Sequence, residues 1–217
     1  EKKIEELEKD SIANNIDLSS SLESLRQELI EETKLIYSQL TPWETVLIAR
    51  HPERPKLMDY IRYLIPDYIY FCGDRHYTDD RAIFGAIGTF QGKPIMIIGH
   101  NKGKDTKENI QSNFGMANPE GYRKAIRLMH LAEKFQCPLV TLVDTQGAYP
   151  GIAAEEHGQS EAIAYNLREM FQIRVPILVI VTGEGGSGGA LGIGIGDKVL
   201  MLQHSIYSVI SPEGCAS

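Results

Sequence analysis

The residues of this chain best suited to chemistry are glycines. Gly183-Glu-Gly-Gly-Ser-Gly-Gly-Ala-Leu191 follows directly on the apolar run Val175-Pro-Ile-Leu-Val-Ile-Val181. A buried strand that ends in glycine and turns into a small-residue helix presents bare backbone N–H groups at a helix N-terminus, where the macrodipole favours negative charge. Such a loop receives an anion: a phosphate, a tetrahedral oxyanion or an enolate. Gly183, Gly185 and Gly188 fit the dinucleotide pattern G-x-G-x-x-G, and Gly185, Ser187 and Gly189 fit the G-x-S-x-G turn of serine hydrolases. No Gly-Lys-Ser/Thr closes the loop, which excludes a P-loop. A glycine cluster also serves simply to let a helix pack close to a sheet.

A second glycine loop, Asp144-Thr-Gln-Gly-Ala-Tyr-Pro-Gly151, follows the apolar run Pro138-Leu-Val-Thr-Leu-Val143. Folds of the α/β class place ligands at strand carboxyl ends, so two such loops on neighbouring strands make opposite walls of one cleft. The rival chemistries differ in what else they need. Dinucleotide binding asks for a carboxylate about 20 residues further on, and Leu202-Gln-His-Ser205 offers none. A hydrolase triad asks for an acid and a histidine; Asp197 and His204 follow Ser187 in that order but lie close together in sequence. A hole of backbone N–H groups needs no titratable side chain, which suits loops poor in acid–base groups. Asp144 reads as a turn cap, and Glu155 and Glu156 as a helix start. His51 and His157 read as exposed, and Lys102, Lys104 and Lys107 as a solvated basic loop.

Periodicity gives the elements that hold these loops. Residues 82–90, the turn Gln91-Gly92 and residues 94–99 predict a β-hairpin. A helix is predicted over 120–135, opened by Asn118-Pro119, with Ala125, Leu128, Met129 and Ala132 facing inward. A strand over 138–143, a helix over 155–171, a strand over 175–181, a helix to about 194 and short strands over 198–202 and 205–209 complete an α/β layer pattern. Upstream, Leu18, Leu22, Leu25, Leu29, Ile36 and Leu40 trace the narrow seam of an amphipathic helix. A shorter helical piece over 1–9 and a break at Asn14-Asn15 precede it. The expected domains are a helical arm over 1–40, a proline-rich linker over 41–80 (Pro42, Pro52, Pro55, Pro66) and a core over 81–217. The arm reads equally as a subunit-binding element or as a helix lying on its own domain.

With 217 residues, 42% hydrophobic and 24% charged, the chain has ordinary soluble-protein composition and length for an α/β domain with an appendage. A formal net charge of −7 argues against a general nucleic-acid binder. No apolar stretch approaches a membrane span, and no secretory signal opens the chain. Cys72, Cys137 and Cys215 lack metal-ligand spacing and read as buried free thiols in a reducing compartment.

Several strings, taken in order, narrow these readings: Phe114-Gly-Met116, Pro119-Glu-Gly-Tyr-Arg-Lys-Ala125, Asp144-Thr-x-Gly-Ala-Tyr-Pro-Gly151, Glu155-Glu-x-Gly-Gln-Ser-Glu-Ala-Ile-Ala164, Asn166-Leu-Arg-Glu-Met170 and Tyr207-Ser-Val-Ile-Ser-Pro-Glu-Gly-Cys-Ala-Ser217. Together with the 183–190 loop they resemble the carboxyltransferase α subunits of bacterial and plastid-type acetyl-CoA carboxylase, over nearly the whole chain. The resemblance implies a crotonase-type α/β fold of ββα units with an N-terminal helical extension. It implies an α2β2 heterotetramer with a zinc-bearing carboxyltransferase β subunit, the active site lying between α and β. There the carboxyl group of carboxybiotin, carried by the biotin carboxyl carrier protein, passes to acetyl-CoA and gives malonyl-CoA, the first committed step of fatty acid biosynthesis. Biotin carboxylase belongs to the larger complex. On that pattern Gly188 and Gly189 match the catalytic oxyanion hole. Gly147, Ala148, Tyr149, Pro150 and Gly151, with Gly185 and Gly186, match the biotin-binding walls. No metal is expected in this chain, no membrane or specific nucleic acid is an expected partner, and the expected location is the cytoplasm, or the plastid stroma in a plant or alga. Two departures stand out: Gln146 replaces the family's usual proline, and the family continues past Ser217. A stand-alone crotonase-type CoA hydratase or hydrolase is the alternative, which would need carboxylates beside the hole. An inert scaffold is a further alternative, in which Gly188 and Gly189 would face away from the cleft.

Overall fold

Successive side chains of a β-strand face opposite sides of the sheet. Between residues 93 and 100 both sides are apolar, so Ile95 and Ile97 enter one core while Met96 and Ile98 enter another. A sheet buried on both faces follows. The structure is a computed structural model that describes residues 2–14 and 17–216. The chain divides into two compact units, Glu1–Glu44 and Thr45–Ser217.

The first unit holds helices α1 (Lys2–Asn14) and α2 (Ser19–Ser38). Leu18, Leu22, Leu25, Leu29 and Leu40 of the predicted seam are half-buried, whereas Ile36 is exposed. An Arg26–Glu8 ion pair of 2.6 Å joins the two helices; exposed pairs of this kind contribute at most about 1 kcal/mol. The first helix runs past the expected residue 9 to Asn14. Asn15, half of the expected break, lies outside the described residues.

In the second unit, α3 (Pro42–Ala49, its first residues belonging to the other unit) and α4 (Leu57–Leu64) precede a seven-stranded sheet. Strands β1 (Tyr68–Tyr70), β2 (Ile83–Phe90) and β3 (Lys93–His100) are antiparallel neighbours. Then β3, β4 (Leu139–Thr145), β5 (Ile177–Gly186) and β6 (Lys198–Met201) run parallel, and β7 (Ile206–Ser208) pairs with the far end of β5. Short α5 (Thr106–Gln111) follows β3, and α6 (Pro119–Lys134) connects on to β4. Between β4 and β5 lie α7 (Ile152–Glu156) and α8 (Gln159–Met170); α9 (Ser187–Leu191) follows β5, and α10 (Pro212–Ala216) ends the described chain. Tyr122, Ala125, Leu128 and Met129 of α6 and Ala162 and Met170 of α8 pack on Met96, Ile98, Val143 and Val181. On the other face Leu57 and Ile61 of α4, with Ile65, meet Phe84, Ile97 and Leu142. Each fully buried side chain of this size contributes about 1.5–3 kcal/mol.

Three expectations are corrected. The region expected as a linker carries two eight-residue helices and an edge strand, with Leu57, Ile61 and Ile65 deep in a core; Pro42 opens α3 at its first position, and Pro52, Pro55 and Pro66 stand between the elements. The helix expected over 155–171 breaks at Gly158, whose φ of 81° is a left-handed conformation that glycine adopts at little cost. The strand expected over 175–181 continues through the glycines to Gly186, because β4 and β7 supply hydrogen-bonding partners on both edges. Cys137 is buried, but Cys72 and Cys215 are exposed; all three are free. Among the described residues no helix is long and apolar enough to cross a membrane, and no group of three His, Cys, Asp or Glu could hold a metal ion.

Candidate functional site

Strands β4 and β5 end side by side. They pair in parallel from Leu139 with Ile177 to Val143 with Val181, then slip so that Thr145 faces Gly185. The chain leaves β5 through a sharp elbow at Ser187, whose φ is 48°, and enters α9 at once. Gly186 stands at the N-cap and offers no side chain to the helix. The first N–H groups of any helix lack intrahelical acceptors, so those of α9 are left uncapped at the strand end.

The two glycine loops touch. A Cβ added at Gly189 would lie 2.7 Å from the Gly147 carbonyl oxygen and closer still to the Gly147 carbonyl carbon and the Ala148 nitrogen. One added at Gly186 would lie 2.9 Å from Gln146 Cα and nearer its carbonyl. These two positions need glycine because backbone meets backbone there. At Gly188 a Cβ would meet only Ile163 Cδ1, at 3.6 Å, and at Gly147 nothing within 4 Å. Gly186 and Gly189 therefore close the floor between the walls, Gly188 (half-buried) turns its Cα hydrogen side toward Ile163 at ordinary contact distance, and Gly147 borders open space. Gly185 packs against the Tyr207 ring and Gly151 against the Tyr149 ring. Ala148 and Tyr149 are half-buried, and Pro150 is exposed.

Polar side chains fix both walls from behind. Buried Gln159 donates from Nε2 to the carbonyls of Ala117 (2.8 Å) and Tyr149 (2.9 Å), and the Tyr149 N–H donates to Ala117 O at 3.0 Å. Thr145 Oγ1 donates to Gly147 O at 2.7 Å. Gln146, exposed at the proline position, directs its amide to Met116 Sδ at 3.3 Å. Under α9, the Tyr122 hydroxyl donates to Gly189 O at 3.3 Å. Asn166 Nδ2 donates to Gly192 O (2.9 Å) and Tyr122 O (3.0 Å), both side chains being fully buried. His100 is buried nearby, and burial pushes its pKa down to about 4. It is neutral at pH 7.

Below the walls runs a chain of charges. Asp144 Oδ1 accepts from Lys102 Nζ at 2.7 Å and from the Glu184 N–H at 3.0 Å, pinning the β4 and β5 tips together. Glu184, nearly buried, accepts from Arg50 Nη2 at 2.7 Å and Nε at 3.1 Å. Arg50 also pairs with Glu213, and hydrogen bonds to Glu184 first and Glu213 second hold it firmly protonated. Arg54 donates to Thr182 O at 2.7 Å and Gln203 O at 2.9 Å. These groups pair with one another, and among the described residues no side chain caps the N-terminus of α9.

The expectations for individual residues divide. Asp144 is structural, as read, but it ties two strands together and does not cap a turn. Lys102 is not solvated, since its side chain is 19% exposed and paired; Lys104 and Lys107 are exposed. His157 is half-buried, with Nδ1 2.7 Å from Glu120 Oε1 and its ring edge-on to Tyr77. His51 is exposed. Ser187 is exposed at the elbow, but Asp197 Oδ2 accepts the N–H of Ile177 at 2.8 Å, at the opposite end of β5, so no Ser-His-Asp triad assembles. Arg50, Arg54, Tyr122, Gln159, Asn166 and Glu184 escaped the reading. An asparagine on the apolar face of a predicted helix is the one local signal that could have revealed Asn166; the other five act through contacts far apart in sequence.

Comparison with known proteins fits this geometry. Residues 1–217 match the family described as acetyl co-enzyme A carboxylase carboxyltransferase-like. The acetyl-coenzyme A carboxylase carboxyl transferase subunit alpha of Pectobacterium atrosepticum is 58% identical over 203 residues, covering 94% of this chain and 64% of that protein. The same subunit of Photorhabdus laumondii is 57% identical over 203 residues, with the same coverage of 94% and 64%. The chain thus spans just under two thirds of the length of the curated relatives it matches. Among solved structures, transcarboxylase 12S superposes with a TM-score of 0.63 at 20% identity, over 83% of this chain and 33% of that one. The beta subunit of Pseudomonas (P. aeruginosa) geranyl-CoA carboxylase does so with a TM-score of 0.59 at 20% identity, over 74% and 29%. At that identity the likeness carries the fold, and the fold is crotonase-type.

Proposed function

Because this chain belongs to the acetyl co-enzyme A carboxylase carboxyltransferase-like family, we propose that it is the α part of a split carboxyltransferase that takes the carboxyl group of carboxybiotin and delivers it to acetyl-CoA. The observation that carries the reading is the juxtaposed pair of glycine walls: an uncapped helix N-terminus at Gly188 and Gly189, set against the 147–151 loop, with open space beside Gly147. That space admits a flat ring system with a carbonyl oxygen, because no side chain projects into it from that glycine. When bound, carboxybiotin supplies the transferable carboxyl group and leaves negative charge on the ureido oxygen. The N–H groups of Gly188 and Gly189 donate to that oxygen from a fixed position, so no reorganisation is needed as the charge grows. Loss of one such donor typically costs about 10²–10³ in rate. Tyr149 and Pro150 form the wall against which the ring lies, and Gln159 keeps that wall in place. Gly185 and Gly186 hold the β5 end at the spacing this requires.

In this proposal the acetyl-CoA side comes from a zinc-bearing β subunit in an α2β2 assembly, with the biotin delivered on its carrier protein and biotin carboxylase as a further component in the cytoplasm or plastid stroma. The carboxylates nearest α9, Asp144 and Glu184, are engaged with Lys102 and Arg50, which disfavours the hydratase and hydrolase alternative. The test combines the full-length α subunit with a matched β subunit and free biocytin and follows malonyl-CoA decarboxylation. Activity that requires both subunits is the expected result. Activity from the α subunit alone, or none from a verified complex, would overturn the proposal.

A further inference from the structure

A second cavity, of about 460 Å³, lies along α6 and α8 and shares no lining residue with the glycine walls. Three guanidinium groups line it. Arg123 and Arg127 sit one turn apart on α6, and Arg75 reaches over from the preceding loop; Arg123 also pairs with Glu120 at 3.7 Å and donates to the His157 carbonyl. Arg127 is held in place by neutral acceptors, donating to Gly73 O at 2.9 and 3.2 Å and to Cys72 O at 3.1 Å. Its charge is thereby positioned, with Asp74 and Asp79 as the nearby carboxylates. Burial first, and then the neighbouring Arg75, push its pKa down, the mark of like charges gathered together. Arg75 has a left-handed φ of 69°, and no hydrogen bond or ion pair of its side chain occurs among the described residues. The loop that strains it is well built: Asp74 Oδ1 accepts the N–H groups of His76 (3.0 Å), Tyr77 (2.8 Å) and Thr78 (3.1 Å). Strain maintained by a rigid turn marks a position with a use.

Two carboxylates, Asp74 and Glu161, also line the cavity, and Asp74, 3% exposed, is turned into its own loop, where it holds three N–H groups. Guanidinium groups arriving from two elements suit a tetrahedral dianion with several acceptor oxygens better than a planar carboxylate. The apolar floor, Ile126 and Ala162, favours a ligand with carbon surface. We infer that this cavity binds a phosphorylated ligand with carbon surface, the phosphate on Arg75 and Arg127 beside Arg123 and the carbon surface on Ile126 and Ala162. The inference is independent of the carboxyltransferase reading.

Adenosine 3′,5′-bisphosphate, which carries a ribose phosphate, is the probe, titrated calorimetrically into the full-length α subunit at low salt. Wild type is expected to bind it, and Arg75→Gln to bind at least about tenfold more weakly with an unchanged melting temperature, since Arg75 makes no fold-supporting bond. Arg168→Gln is the charge-matched control: Arg168 is outside the cavity and its side chain is 66% exposed, so binding is expected to persist. No binding to wild type at millimolar probe, or equal weakening by Arg75→Gln and Arg168→Gln, would overturn the inference. Acetyl-CoA and its 3′-dephospho form, compared in the α–β complex, separate two sources of the ligand. A KM raised by Arg75→Gln only for the phosphorylated form assigns the cavity to the substrate's own ribose phosphate. An unmoved KM with lost probe binding assigns it to a separate phosphorylated effector.

Discussion

Gly189→Ala is the most informative perturbation, because the new methyl group would meet backbone on both sides. Its Cβ would lie 2.7 Å from Gly147 O and nearer still to Gly147 C and Ala148 N, and no rotamer change relieves a clash with a peptide unit. Ordinary contact is restored only if α9 and the 147–151 wall separate by about 1 Å, and forced overpacking of this kind costs about 1–3 kcal/mol. A displacement of about 1 Å at a reacting centre is worth about 10² in rate. Gly188→Ala supplies the contrast. Its Cβ would meet only Ile163 Cδ1, at 3.6 Å, and alanine favours a helix over glycine by about 1 kcal/mol, so stability should hold or rise. We expect Gly189→Ala to lower both the melting temperature and the biocytin-dependent decarboxylation of malonyl-CoA by about a hundredfold. Gly188→Ala should leave melting unharmed and cost far less activity, because its methyl group packs on Ile163 at ordinary contact distance. Wild-type melting and activity in Gly189→Ala would refute the account of the two walls.

Tyr122→Phe removes only the hydroxyl that meets Gly189 O at 3.3 Å. A loss of about 1 kcal/mol is expected, seen as a fall of about 2–4 °C in melting temperature, with kcat reduced and KM unchanged; a KM effect alone would contradict a positioning role. His100, pushed down to about 4 by burial, takes up its proton at lower pH folded than unfolded. It therefore adds stability that grows as pH rises from about 4 to 6.5, by about 3 kcal/mol in all. Asp80, pushed up to about 6 by burial, contributes the opposite slope over an overlapping range, so the two must be separated by substitution. Denaturation of His100→Gln between pH 4 and 7 should lack the rising component, and a slope identical to wild type would exclude His100 as its source.

Local pattern carried much of the fold. The hairpin of β2 and β3, helix α6 and strands β4, β6 and β7 were legible because each is a short apolar run or a 3.6-residue stripe bounded by turn residues. What escaped was set by contacts distant in sequence. Glycine has low intrinsic strand preference, yet 183–186 is strand because β4 and β7 flank it. Helix α4 lay hidden among prolines, although its apolar residues form half of a core. The break at Gly158 divided a stretch whose apolar spacing would suit one helix. In the candidate site the glycine walls were visible, but their support was not. Gln159, Tyr122 and Asn166 bond to residues up to 67 positions away, and Arg50 reaches Glu184 across 134. No local spacing encodes such pairs.

The two walls come from strand ends separated by a whole crossover, residues 146–176, and parallel strands cannot pair until such a crossover has closed. During synthesis the wall at 147–151 emerges first and has nothing to face until the chain past Ala190 has followed. Contacts of this range form late, because loop closure must precede them. A refolding chain should therefore regain its helical signal before it regains a cleft. The return of ligand binding would then time the final pairing of β4 with β5, making the site itself the reporter of completed folding.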